Sequence, residues 1–366
     1  MKKVFLIIPS LHRGGAERVV SILTNHLDRD IFDVTLVLLE KRGSYLKDLH
    51  DDVNIIDLKQ SKVTQAIVPL IKLIRKEKPD LVFSTLGHLN LSLMISKIFM
   101  SKHTKFIARE ASIPSILNQS EKYASLFNLL YKKLYPKFDK IICQSQYMLN
   151  DLQENFDIAA NKTTVINNPV DFTKIEKRLS DSPGHELLPY DKKNIVVVGS
   201  LEPVKGYELL IKAFANIQKE NLHLSIVGEG SLKHELYNLI KEKKLEEKVS
   251  LLGFQENPYL YMLKADITVL TSKLEGFPNT VLESMACGTP VVAFKCPGGI
   301  EEIIIEGDNG WFVEHNNIEA LTKALEDHVD NTLNSLDIKQ SVYNRYNLNY
   351  IINKYETLFQ EVLNEK

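Results

Sequence analysis

Glu275 and Glu283 stand eight positions apart in the run Glu275-Gly276-Phe277-Pro278-Asn279-Thr280-Val281-Leu282-Glu283, which continues Ser284-Met285-Ala286-Cys287-Gly288. The turn and the residues after it predict a short helix, with proline at its first position and glycine at its end. On such a helix Asn279 and Glu283 are four apart, and Thr280 and Glu283 three apart, so all three can face one ligand. Glu275 can reach the same ligand from before the turn. Amides near Asn279, Thr280 and Val281 would receive an anion. Amides for a diphosphate, one carboxylate for sugar hydroxyls and one for ribose hydroxyls are the groups a sugar nucleotide requires.

Other candidate groups follow strand-like runs. In Gly199-Ser200-Leu201-Glu202-Pro203-Val204-Lys205-Gly206 the backbone amides and the Lys205 ammonium can converge on a diphosphate. Gly14-Gly15 opens a helix after the first strand without completing a dinucleotide fingerprint; Arg13 and Arg18 beside it are either phosphate helpers or solvated helix-start charges. His88, in Ser84-Thr85-Leu86-Gly87-His88-Leu89-Asn90, is either an acceptor or sugar contact or the cap of its own loop. Arg109-Glu110, after the next strand, are further candidates for the acceptor side. Gly228-Glu229-Gly230 is either a close backbone approach to a nucleotide or a tight turn, and Phe254 packs either on a base or on the core. Asp28-Arg29-Asp30 resembles a metal-binding D-x-D, but its loop position marks it as solvated. No paired-carboxylate metal site is expected, and no cofactor beyond a sugar nucleotide bound as substrate.

The elements that must position these groups alternate between short apolar runs and helical-period segments, the mark of parallel sheets covered on both faces. Strands are expected at 4–8, 34–39, 54–58, 81–84, 105–108, 140–143 and 164–166. After a pause at 171–193, rich in turn formers around Ser180-Asp181-Ser182-Pro183-Gly184, they resume at 194–198, 222–227, 249–252, 267–270, 291–294 and 311–313. The fold class is therefore α/β: two tandem doubly wound Rossmann-like domains, 1–170 and 194–344, joined by a linker at 171–193. Ligand is expected at the carboxyl ends of the strands. At 366 residues the chain exceeds the usual span of one core.

The net charge of −2 argues against a nucleic-acid partner. It conceals an asymmetry, +7 over residues 1–170 and −9 over the rest, and the basic half suits an anionic partner such as a membrane surface. Residues 122–140 interleave Lys122, Lys132, Lys133, Lys137 and Lys140 with Tyr123, Phe127, Tyr131, Tyr135 and Phe138. They read either as a helix at a bilayer interface or as an ordinary packing helix. No run approaches a membrane span, and the short apolar start Val4 to Ile8 reads as a strand rather than a signal peptide. Cys143, Cys287 and Cys296 lack metal-ligand spacing and read as buried thiols of a reducing, cytoplasmic compartment, with any contact at the inner membrane face peripheral.

The spacing Glu275-x7-Glu283 resembles the E-x7-E signature of the GT4 family of retaining glycosyltransferases, which have the GT-B fold with a cleft between two domains. Gly14-Gly15-Ala16-Glu17-Arg18-Val19, the run Gly199 to Gly206, Val227-Gly228-Glu229-Gly230 and Leu252-Gly253-Phe254 fall in that family's order, so the resemblance covers nearly the whole chain. It implies an acceptor-binding first domain, a nucleotide-sugar-binding second domain, and a tail (345–366) that packs back on the first. It implies donor contacts at Gly14, Gly15, Ser200, Lys205, Gly228, Phe254, Glu275, Gly276, Phe277, Pro278, Asn279, Thr280, Val281 and Glu283. Family members usually carry arginine where Ser200 stands, which leaves Lys205 the main side-chain cation.

The activity the resemblance implies is metal-independent, retaining transfer of a hexose or N-acetylhexosamine from a UDP-sugar to a glycan or polyprenyl-linked glycan in bacterial polysaccharide biosynthesis. Glu275, Lys205 and His88 are then the catalytic candidates. Two rivals share the fold: a UDP-sugar epimerase, for which further ionisable groups around the sugar are not found, and a nucleotide-sugar-binding protein without turnover. A nicotinamide-dependent oxidoreductase lacks the glycine fingerprint.

Overall fold

Among the described residues thirteen strands form where β-branched and apolar residues run together: β1 (Lys2–Ile8), β2 (Phe32–Leu38), β3 (Asn54–Asp57), β4 (Leu81–Thr85), β5 (Lys105–Arg109), β6 (Lys140–Cys143), β7 (Thr163–Val165), β8 (Lys193–Val198), β9 (Leu222–Val227), β10 (Val249–Gly253), β11 (Ile267–Leu270), β12 (Val291–Phe294) and β13 (Gly310–Val313). The computed structural model describes residues 1–12, 14–100, 103–120, 123–181 and 188–365. All the strand pairings are parallel, and they make two sheets, ordered β3-β2-β1-β4-β5-β6-β7 and β10-β9-β8-β11-β12-β13. Both orders reverse direction once, beside the first strand of each sheet, and such a switch point is where a crevice opens at the strands' carboxyl ends.

The chain divides into two units, residues 1–169 with those from Asn349 onward, and residues 170–348. In the first, β1, β4 and β5 are buried on both faces, with Phe5, Phe83 and Phe106 inaccessible to solvent. The amphipathic helix Leu348–Asn364 buries Ile351, Tyr355, Phe359 and Val362 in this unit, with the Phe359 ring 5.8 Å from Phe83 and 6.1 Å from Phe32. In the second unit, Ile195, Leu224, Ile267, Val292 and Phe294 are among the sheet residues of one core cluster. Helix Asn279–Ala286 contributes Val281, Leu282 and Met285 to another.

Two boundaries differ from the sequence reading. Much of the expected linker is helical: Asp171 accepts a hydrogen bond from the Lys174 amide, capping helix Phe172–Ser180, whose Ile175 is buried in the second unit's core. Of the turn-rich run expected there, Ser182, Pro183 and Gly184 lie outside the described residues. The tail also begins later than residue 345, since Arg345 donates to the Glu302 and Ile303 carbonyls and Tyr346 to the Glu302 carbonyl, which keeps both in the second unit.

Candidate active site

The loops leaving β8 and β11, neighbours across the second unit's switch point, bring Lys205 and Glu275 together. Lys205 Nζ lies 2.7 Å from Glu275 Oε1, and Ser272 Oγ donates to the same oxygen at 2.6 Å. Backbone geometry fixes both partners. The Lys205 carbonyl accepts from Thr271 Oγ1 at 3.0 Å, and the Glu275 amide donates to the Pro297 carbonyl at 3.1 Å. Gly298, at φ +127°, lies so close that a Cβ there would fall on the Glu275 carbonyl. The Glu275 backbone is thus fixed by Pro297 and Gly298 and its carboxylate by Ser272, with the Lys205 ammonium paired to the same oxygen from the end of a four-carbon stem.

The turn Gly276-Phe277-Pro278 leads into helix Asn279–Ala286, with Pro278 at the N-cap, one position earlier than expected. Proline supplies no side-chain cap to the first turn of this helix. Gly288 ends the helix at φ +86°. Phe277 and Val281 are buried core residues, the Phe277 ring 5.4 Å edge-to-face from Tyr346, which leaves only their backbone for a ligand. Asn279 and Thr280 are half-buried. Glu283 is only 6% exposed and accepts a hydrogen bond from Tyr259 Oη at 3.2 Å, so the second carboxylate of the pair is held in a tyrosine-lined setting.

The neighbouring loops are stitched by their backbones. Gly199 donates to the Val227 carbonyl, Leu201 to Glu229 and Gly228 to Gly253, at 3.0, 2.9 and 2.8 Å. A Cβ on Gly228 would strike the Gly199 carbonyl, so loop packing alone requires that glycine. Ser200 is exposed at the carboxyl end of β8. Phe254 is 46% exposed beyond β10, which removes it from the core and leaves its ring accessible to a base. Cys296, beside the Lys205–Glu275 pair, is buried and its thiol pushed up to about 12, so it stays protonated there.

The first unit has its own polar cluster at the ends of β4, β5 and β6. Glu110 is fully buried and accepts from Tyr135 Oη at 2.5 Å, Tyr131 Oη at 3.3 Å, the Ala111 amide at 3.1 Å and Ser112 Oγ at 3.3 Å. Burial pushes its carboxyl above the ordinary range against those donors, and burial with the Glu110 charge pushes both tyrosines well up. Arg109, also fully buried, donates to Asn168 Oδ1 at 2.6 Å and Tyr355 Oη at 3.2 Å, while its Nη1 is buried without a hydrogen-bond partner. The two residues expected on the acceptor side therefore present no surface to solvent. His88 is exposed at the start of helix Gly87–Ser96, its ring 5.2 Å from Phe127, and Leu86 before it holds φ +78°.

Gly14 caps helix Gly15–His26, and the Glu17 carboxylate lies against it, where a Cβ would stand. Burial raises the Glu17 carboxyl, opposed by its own amide, His12 and Arg109. Arg13, proposed beside Gly14, lies outside the described residues. Sequence reasoning missed Glu17, Ser272 and Gly298. Ser272 and Gly298 act through Glu275, one three residues before it and one in a distant Pro-Gly-Gly turn, and only the former had a local signal. Among the described residues no cluster of His, Cys, Asp or Glu has metal-site geometry.

Two family models match the chain, Glycosyltransferase Family 4 over residues 13–174 and Glycosyl transferases group 1 over residues 181–345. It is 36% identical over 337 residues to the N-acetylgalactosamine-N,N'-diacetylbacillosaminyl-diphospho-undecaprenol 4-alpha-N-acetylgalactosaminyltransferase of Campylobacter jejuni, covering 89% of this chain and 90% of that one. The amylovoran biosynthesis glycosyltransferase AmsD of Erwinia amylovora is 26% identical, with 89% of each chain covered. In fold it is similar to Anabaena HepE, solved in complex with UDP and glucose, at TM-score 0.81, 20% identity, 98% of this chain and 100% of that one. The chain belongs to glycosyltransferase family 4 and is a transferase of GT-B fold.

Proposed function

We propose that the protein transfers an N-acetylhexosamine or hexose from a UDP-sugar to a lipid-linked glycan, with retention at the anomeric carbon. The observation that carries this reading is the Lys205–Glu275 pair at the switch point, a carboxylate held by Ser272 with a cation beside it. Support for the substrates comes from the Campylobacter relative, whose name specifies an N-acetylgalactosaminyl transfer to a diphospho-undecaprenol-linked acceptor, and from HepE, solved with UDP.

An arriving diphosphate draws Lys205 away from Glu275, and Ser272 keeps the carboxylate in place while the ammonium changes partner. The bond between the anomeric carbon and the diphosphate oxygen breaks, and the charge left on that oxygen falls to Lys205 and the first-turn amides of helix Asn279–Ala286. Glu275 then faces the sugar and its cationic anomeric carbon. Glu283, positioned by Tyr259, holds the ribose, and Phe254 packs on the base. The acceptor hydroxyl forms the new bond on the face the diphosphate leaves and gives its proton to a phosphate oxygen, so no protein base is required on the opposite face. Lys205 and amides carry the charge, and activity is expected to survive EDTA.

Calorimetric titration with a panel of UDP- and GDP-sugars tests the donor assignment. UDP compounds should bind and GDP compounds should not; a preference for GDP overturns it.

A further inference from the structure

We propose that the outer face of helices Gly87–Ser96 and Ala124–Leu134 is a docking surface for an anionic bilayer. The proposal rests on the lipid-linked acceptor proposed above. These helices lie side by side in the first unit, running the same way: the His88 ring meets Phe127 near their starts, and Lys97 Nζ donates to the Lys137 carbonyl at 2.7 Å beyond their ends. On the first, His88, Ser92, Ile95 and Phe99 follow one stripe at helical spacing, and none of the four is buried; Ile98, on the turn that continues the helix, is 79% exposed. On the second, the stripe is Leu126, Leu129, Lys133 and Lys137, all exposed.

Seven of the nineteen exposed large apolar side chains of the described residues lie between Ile95 and Leu129, about a tenth of the chain, where even scatter would place about two. Charge selects the occupant. Residues 87–99 and 123–137 contain no aspartate or glutamate but carry Lys97, Lys132, Lys133 and Lys137. Lys132 is paired with Asp157 and Lys97 with Asp139, which leaves Lys133 and Lys137 as the exposed cations of the face. Exposed apolar side chains beside lysines, on helices that themselves carry no acid, suit the headgroup region of anionic phospholipid, where apolar groups enter the acyl boundary and ammonium groups meet phosphate.

The sequence reading of an interfacial helix at 122–140 is thereby revised. Tyr131, Tyr135 and Phe138 are buried, with the first two rings stacked at 4.2 Å, so those aromatics pack the unit. The docking apolar side chains are instead Ile95, Ile98, Phe99, Leu126 and Leu129, and the first three come from a helix and turn that carried no basic-aromatic signal. Lys122 lies outside the described residues. His88 begins the stripe, so a glycan whose lipid remains in the bilayer would meet a candidate acceptor group at the edge of the docked face.

The test is co-sedimentation of the full chain with vesicles of phosphatidylglycerol and phosphatidylcholine, against pure phosphatidylcholine, at low and high salt. The protein should sediment with the anionic vesicles at low salt. Lys133→Gln with Lys137→Gln should weaken binding roughly fivefold per lysine, and Ile98→Asp with Phe99→Asp should abolish it. The replaced side chains are exposed, and circular dichroism checks that both variants are folded. Both should transfer sugar to a water-soluble acceptor glycoside as well as the unaltered protein does. Failure of the unaltered protein to bind, binding unchanged in both variants, or loss of transfer to the soluble acceptor would each overturn the docking assignment. If no version transfers sugar while vesicle binding follows this pattern, the transferase reading fails and the docking surface stands.

Discussion

Lys205 and Ser272 meet on one oxygen of the Glu275 carboxylate, so removing either Lys205 or Glu275 changes what the other meets. Lys205→Ala deletes the cation and leaves Glu275 unneutralised beside the incoming phosphates. UDP affinity should fall by roughly 10- to 100-fold, the range of a lost charge-assisted hydrogen bond, while uridine affinity changes little. Equal losses for the two ligands in calorimetry would remove Lys205 from the diphosphate. Glu275→Gln keeps the shape but not the charge, and should lower kcat with little change in donor affinity. Glu283→Gln should raise the donor Kd instead; kcat losses of equal size in both variants would contradict the division of roles. The carboxylate pair and Lys205 were legible as sequence because their types and local spacing carry the chemistry. Their partners were not: Ser272 and Tyr259 are ordinary residues until the fold sets a hydroxyl against each carboxylate.

The turns that aim these residues matter as much as the residues. Gly298→Ala places a methyl group on the Glu275 carbonyl at a backbone angle that side chains rarely adopt, so the Glu275 loop must move. Donor-dependent turnover should drop at least about tenfold with the fold retained, since a small misplacement of a catalytic group carries a large rate penalty. Turnover equal to that of the unaltered enzyme would show the loop is not fixed there. Glu110 tests the first unit's polar cluster through pH. Its folded carboxyl is raised by burial above the ordinary 4.5, so its contribution to stability is full below that value and is lost as pH rises through the folded value. Glu110→Gln removes the titration, and the urea midpoint of the unaltered protein should decline relative to the variant as pH rises above 4.5. Parallel profiles would contradict the raised carboxyl. Every expected strand is present within two residues of its predicted bounds, because short apolar runs bounded by turn formers suit strands, above all the central ones buried on both faces. Helix Phe172–Ser180 was illegible because its end runs into the polar, turn-rich stretch at 180–184 and its apolar side is short.

At the scale of the whole molecule the sequence shows two alternations of strand and helix, and the structure turns each into a sheet with one switch point. Arg109 and Glu110 show the limit of that reading: their place after a strand was visible, but their burial depends on Tyr131, Tyr135, Asn168 and Tyr355, the last from the far end of the chain. The central claim is that sugar leaves UDP and joins the acceptor on one face, with the charge taken by Lys205 and helix amides. Proton NMR of the product formed from an α-linked UDP-N-acetylhexosamine tests this most directly. The account predicts an α-linked product, recognised by its small anomeric coupling constant and formed equally with and without EDTA. A β-linked product would require a base on the opposite face and would contradict the mechanism.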